Sequence, residues 1–148
     1  MGVKEQDASD AVAGYKPQNN RSQLTETGRN RLVVDAYNAN PTSMAAAIEN
    51  FSMMKAQDKM LILGDMRELG DVSADEHRRI VGMLREKGFD CVWLVGSEFK
   101  AVAGDSGFRL FADVDEVNKA LESEKITGKT ILIKGSNSIG LTKTITNL

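Results

Sequence analysis

RLVVDAYNANPTSMAAAIENFSMMKAQDKMLILGD, residues 31–65, reads as one unit of strand, helix and strand. Its two ends, RLVVDAY (31–37) and KMLILGD (59–65), are short and nearly continuous apolar runs rich in Val, Ile and Leu. Runs of that kind suit strands covered by helices on both faces, as in a parallel sheet. Between them Met44, Ile48, Phe51 and Met54 recur at steps of three and four, which places them along one stripe of a helix. Asn40 and Pro41 stand where that helix should begin. An Asn there can accept from the free amides of the first turn, and a Pro carries the required φ at the first helical position.

The alternation continues outward. FDCVWLVG (89–96), FRLFAD (108–113) and KTILIKG (129–135) supply three more strands. Ser73 and Glu76, at capping-box spacing, open a helix that buries Ile80, Val81 and Leu84 and stops at Gly88. Val114, Val117 and Leu121 outline another helix, and the segment from Phe99 to Ala103 a brief one. Toward the amino end SQLTETGRNRLVV (22–34) reads as an antiparallel hairpin turning at GRN. Ahead of it Ala8, Val12 and Tyr15 fall at helical spacing until Pro17 interrupts them. At the other end Leu141, Ile145 and Leu148 begin an amphipathic helix, cut short with Ile145 exposed, and both ends read as cuts within a longer chain. The expectation is an α/β fold, Rossmann-like and doubly wound. Its sheet is mainly parallel, with an antiparallel edge strand or hairpin near the amino end. Residues 1–148 form one domain, of which 1–14 are a residual linker or helix from a preceding region.

Charge and composition exclude several functions. The chain has 148 residues, with 19 basic and 21 acidic side chains that nearly cancel and gather into no long block, so nucleic acid is not an expected partner. The single Cys91 lies in an apolar run; it permits no internal disulfide and suits a small buried hydrophobe in a reducing compartment. No apolar stretch approaches the roughly 18 residues that cross a bilayer, and no secretory pattern opens the chain. A cytoplasmic protein without membrane insertion is expected.

In an open α/β sheet ligands settle beyond the carboxyl ends of the strands. Three such ends are polar. DAYNANP (35–41) sets the Asp35 carboxylate at a strand tip and Asn38 and Asn40 just before a helix amino terminus, a site suited to a nucleotide. Asp35 suits a ribose diol; Asn40 reads first as a helix cap, and Tyr37 equally as a packing residue. LGDMRELG (63–70) offers Asp65 and Glu68, two carboxylates able to hold an ammonium group, beside Arg67, which could simply pair with one of them. ILIKGSNSIG (131–140) looks like a phosphate loop but has Leu141 where that loop needs its lysine, which leaves Lys134 and a turn whose amides and Ser136 hydroxyl could take a carboxylate. His77, the only histidine, sits in the first turns of a helix, where it supports the LGDMRELG loop or lies on the surface.

DAYNANPTSMAAAIENF, LILGDMRELG, Ser73 with His77, and ILIKGSNS, in that order and spacing, closely resemble the carboxy-terminal domain of MurF-type ligases of the Mur ligase family. The resemblance runs from about Tyr15 to the last residue. It implies part of an enzyme that uses ATP and magnesium to activate the carboxylate of UDP-N-acetylmuramoyl-tripeptide for attack by D-alanyl-D-alanine. The present domain would close over a central ATPase domain of the same chain. It implies nucleotide contacts from Asp35, Tyr37, Asn38 and Asn40, and dipeptide contacts from Asp65, Glu68, Lys134, Ser136 and Asn137. It implies no catalytic residue, metal ligand or bound cofactor in this segment alone, which would be inactive. Asn137 departs from the family, where a basic residue commonly follows the Gly-Ser. Two other classes fit less well. A phosphoacceptor receiver would use Asp35, Asp65 and Lys134 but needs paired acids after its first strand, where DAY has one. A dinucleotide-binding domain needs a glycine fingerprint where this chain has YNANP.

Overall fold

The structure is a computed structural model that describes residues 23–35, 39–56 and 58–148. The helix expected near residues 5–15 lies outside them, as do Tyr37 and Asn38, and of Asn137 only the backbone is described. The strands are β1 (Gln23–Glu26), β2 (Arg31–Asp35), β3 (Lys59–Gly64), β4 (Val92–Val95), β5 (Arg109–Phe111) and β6 (Thr130–Lys134). The α-helices are α1 (Pro41–Met53), α2 (Ser73–Glu86), α3 (Ser97–Val102) and α4 (Val114–Glu124). They build a six-stranded sheet in the order β1-β2-β6-β3-β4-β5. Among the described strands only the β1/β2 pair, the expected hairpin, is antiparallel.

Strand alternation divides the core in two. Along β3, Leu61 and Leu63 face one side, where Ile48 and Phe51 of α1, Leu84 of α2 and Phe99 of α3 pack on them. Met60 and Ile62 face the other, against Val117 and Leu121 of α4 and the carboxy-terminal Leu141 and Leu148. Each fully buried Leu, Ile or Phe contributes about 1.5–3 kcal/mol relative to exposure. This double covering explains why β6, central in the sheet, is buried along its whole length and reads as an unbroken apolar run.

The helix boundaries have local causes. Asn40 forms a reciprocal capping box with Ser43: Asn40 Oδ1 accepts from Ser43 N–H at 2.8 Å, and Ser43 Oγ accepts from Asn40 N–H at 3.0 Å. Helix α2 ends at Gly88, whose φ of +77° is the left-handed geometry that glycine permits. There Gly88 N–H donates to Arg85 O and Phe89 N–H to Leu84 O, closing a Schellman motif. The hairpin turn is fixed to the rest by buried Asn30. Its Nδ2 donates to Ile126 O and Leu148 O, while its Oδ1 accepts from Lys129 N–H.

Four expectations are corrected. Ser73 is the first residue of α2 rather than its cap and makes no capping box with Glu76, which pairs with Arg79; a 3₁₀ turn, Gly70–Val72, leads into the helix instead. The FRLFAD run is strand only over Arg109–Phe111, since Asp113 leaves it to cap α4 by accepting from Glu116 N–H. The last segment is a 3₁₀ helix, Leu141–Asn147, which turns Leu141 and Thr144 inward and leaves Ile145 packed against the second core cluster rather than exposed. Cys91 is only half-buried, although burial still pushes its thiol above the ordinary range.

Two glycines make opposite predictions. Gly82 lies inside α2, and a Cβ there would meet nothing within 4 Å. Gly82→Ala should raise stability by about 0.5–1 kcal/mol through helix propensity. A Cβ on Gly135 would come within 2.9 Å of Gly64 Cα, so Gly135→Ala should lower stability by about 1–3 kcal/mol. Urea unfolding of the two variants beside the parent chain checks both signs.

Candidate substrate rim at the carboxyl edge of the sheet

Strands β2, β6 and β3 are neighbours and parallel, with Asp35 opposite Lys134 and Lys134 opposite Leu63. The loops that follow them therefore leave the sheet side by side. The chain after β2 and β3 continues to helices on one face, and the chain after β6 continues to the 3₁₀ segment on the other. That divergence is the switch point at which open α/β sheets leave a crevice for ligands. Of the residues expected to act together, Asp35, Asp65, Lys134 and Ser136 thus lie at one edge of the sheet.

Asp35 and Lys134 join across β2 and β6, with Lys134 Nζ 3.1 Å from Asp35 Oδ2 and side-chain exposures of 2% and 15% respectively. Lys134 is a buried cation satisfied from within, not a free charge at the surface. Asp35 keeps part of its carboxylate open. Asn40 Oδ1 is held in the capping box, so its carboxamide meets the rim only through its remaining N–H groups. Ser136 is buried, with its Oγ 3.3 Å from Ser138 Oγ and its N–H donating to Asp65 O at 3.0 Å.

Asp65 is wholly buried. Its Oδ2 accepts from Glu98 N–H at 2.9 Å and its Oδ1 from Phe99 N–H at 3.0 Å, the second and third residues of α3. That helix has Gly96 in its own capping position, without a capping side chain. Asp65 is the cap supplied from a neighbouring strand, with its charge at the positive end of the short helix. Asp65, expected to face an ammonium group, has each carboxylate oxygen engaged by a backbone amide of α3. Glu68, by contrast, is exposed at the loop tip with φ +63°, and Arg67 beside it is exposed as well.

His77 is wholly buried against the edge of Phe99, with ring centres 4.7 Å apart. Its Nε2 accepts from Met66 N–H at 3.0 Å, and its Nδ1 lies 2.7 Å from Ser73 O. A backbone donor on one nitrogen and an acceptor on the other assign the proton to Nδ1. Sequence reasoning missed Gly96 and Glu98. The Asp65 to Glu98 link spans 33 residues, and no local pattern announces it; an α3 start lacking its own cap was the one available signal. Three grooves, two at the opposite end of the sheet around Arg29 with Lys129 and Lys59 with Lys87, and one between α1 and α2, lie away from this rim.

A Cβ on Gly96, whose φ is +119°, would fall 2.3 Å from the Asp65 carboxylate. Asp65→Ala should cost about 3 kcal/mol or more, since hydrogen bonds to a charged acceptor contribute about 1.5–3 kcal/mol each. Gly96→Ala should also destabilise. The double variant should fall short of the sum by about 1 kcal/mol, because the added methyl no longer meets a carboxylate. A urea-unfolding double-mutant cycle measures that difference.

The model of the family described as "Mur ligase, glutamate ligase domain" matches residues 20–137. The UDP-N-acetylmuramoyl-tripeptide--D-alanyl-D-alanine ligase of Treponema pallidum is 30% identical over 148 residues, covering 95% of this chain and 32% of that protein. MurF from Acinetobacter baumannii superposes with a TM-score of 0.76 at 25% identity, over 91% of this chain and 31% of that one. The fold is also that of a MurF ligase from Thermotoga maritima in complex with ADP, with a TM-score of 0.74 at 23% identity over 91% of this chain and 31% of that one. The chain spans about a third of the length of the curated relatives it matches. With the sheet order and the shared rim already in hand, these likenesses settle its kinship over the receiver and dinucleotide-binding alternatives: the chain belongs to the Mur ligase family, as a carboxy-terminal domain of the MurF type.

Proposed function

We propose that this chain is the closing domain of a cytoplasmic, ATP-dependent ligase that joins D-alanyl-D-alanine to UDP-N-acetylmuramoyl-tripeptide in peptidoglycan precursor synthesis. The observation that carries the reading is the common rim of β2, β6 and β3, with open carboxylates at Asp35 and Glu68 on its two flanks. In this reading the Asp35 side takes the nucleotide, with Asp35 accepting from a ribose diol and Tyr37, Asn38 and Asn40 along the same flank. The Glu68 side takes the amino group of the dipeptide, and the turn at Ser136 and Asn137 takes its carboxylate. Lys134 and Asp65 serve as supports, the first fixing Asp35 and the second fixing the loop that carries Glu68.

The chemistry of the donor set agrees with this division. A carboxylate already paired with an ammonium group, as Asp35 is with Lys134, is a weaker metal ligand than a free one but still accepts from hydroxyl groups. Among the described residues no group of three or more His, Cys, Asp or Glu could hold a metal ion. In this reading magnesium and the nucleotide phosphates are held by the central ATPase domain. The carboxylate of the tripeptide is activated there as an acyl phosphate, which the dipeptide amine attacks with loss of phosphate. This domain contributes orientation and exclusion of water on closure. Among the described residues no helix is long and apolar enough to cross a membrane.

The test is a pair of variants in the full-length ligase that carries this domain. Asp35→Asn should raise the KM for ATP about ten-fold or more with little change for the dipeptide, and Glu68→Gln should do the reverse, each having lost a charge-assisted contact. Equal effects on both substrates would overturn the division of the rim. The chain by itself, lacking a phosphate grip, should bind ATP only weakly, and micromolar affinity by calorimetry would contradict the proposal.

A further inference from the structure

We infer that Glu98 is a positioning residue for the amine-bearing substrate, acting through Ser73 and His77 on the loop that presents Glu68. The inference rests on the reading above that this loop receives the substrate amine. Glu98 lies in the first turn of α3 and reaches across to the first turn of α2, where its Oε1 accepts from Ser73 Oγ at 2.5 Å. Ser73 in turn sets His77: its carbonyl oxygen lies 2.7 Å and its hydroxyl 3.3 Å from Nδ1. The opposite ring nitrogen holds Met66 N–H at 3.0 Å. A continuous path of hydrogen bonds thus runs from the Glu98 side chain to the backbone of the loop.

The same helix turn grips the loop a second time, because the amides of Glu98 and Phe99 hold the Asp65 carboxylate. Residues 65 and 66 are therefore fixed from α3 directly and from α2 through His77. Two residues farther on, Glu68 sits at φ +63°, a left-handed conformation that L side chains seldom adopt. Such a conformation persists only where its surroundings over-determine it. Glu68 is exposed. The constraint on it is carried by the backbone, and the backbone is held by the path that begins at Glu98. Its carboxylate is thereby aimed before any ligand arrives, which spares binding the cost of ordering the loop.

A purely structural contact would lower stability and leave the two substrates affected alike; a positioning role separates them. In the full-length ligase, Glu98→Ala should raise the dipeptide KM about ten-fold and keep the ATP KM within about two-fold. Glu98→Gln keeps an oxygen able to accept from Ser73 and should restore the dipeptide KM to within about two-fold of the parent. Hydrogen exchange in the peptide spanning residues 65–70 should accelerate in Glu98→Ala and not in Glu98→Gln. Should Glu98→Ala fail to fold, Ser73→Ala, which deletes the same bond from its other end, is read by both measurements. Unchanged exchange in 65–70, or equal changes in the two KM values, would overturn the inference. If Glu68→Gln leaves the dipeptide KM unchanged while exchange still responds to Glu98→Ala, the reading of the loop as the amine site fails, but Glu98 is still what holds the loop.

Discussion

The rim is organised by the carboxylate of Asp65, which leaves the end of β3 and caps a helix that begins after β4. Three connections, those after β3, β4 and β6, have to pass over one another within a few ångströms. Asp65 bonds to two of them: its side chain holds α3, and its carbonyl oxygen holds the Ser136 amide of the turn after β6. The crossing is possible because glycines stand at the contact points. Gly64 and Gly135 lie against each other, and Gly96 lies against the Asp65 carboxylate. A side chain at any of the three would push apart the connections that shape the rim, so the strand-end glycines are packing requirements rather than flexible hinges.

A second interaction gives the rim its charge. Burying the Lys134 ammonium costs several kcal/mol in desolvation, which pairing with Asp35 helps to offset. An apolar residue at the end of a central strand would be at least as stable. In the proposed reading the pair holds the Asp35 carboxylate at the edge of the sheet, with Oδ2 anchored by the ammonium group.

Much of this was legible in the chain. The apolar runs of β3, β4 and β6 and the helical stripes of α1, α2 and α4 encode their own conformations through period and composition, and the Asn40 cap is a local signal. The co-location of the three polar strand ends followed from parallel topology alone. What escaped was long-range side-chain bonding. Ser73 has the spacing of a capping residue relative to Glu76, yet its hydroxyl is drawn to Glu98, 25 residues away. Lys134 and Asp65 read as ligand contacts because charged residues at strand tips often are. Only the three-dimensional neighbours reveal that one is buried against Asp35 and the other against backbone amides. Leu141 to Leu148 carries a spacing that suits an α-helix, but the segment winds more tightly, so that Thr144 rather than Ile145 turns inward.

The LGDMRELG motif can now be divided by position. Leu63 and Met66 are core, Leu69 packs against the same cluster, Gly64 admits the neighbouring turn, Asp65 caps α3, and Gly70 takes a φ of +59°. Six of the eight residues are thus accounted for by folding. The two that remain, Arg67 and Glu68, are exposed, and Glu68 takes a left-handed φ of +63° that L side chains seldom adopt. In the proposed reading the loop meets its ligand through Glu68, which faces solvent, while Asp65 holds the loop to α3.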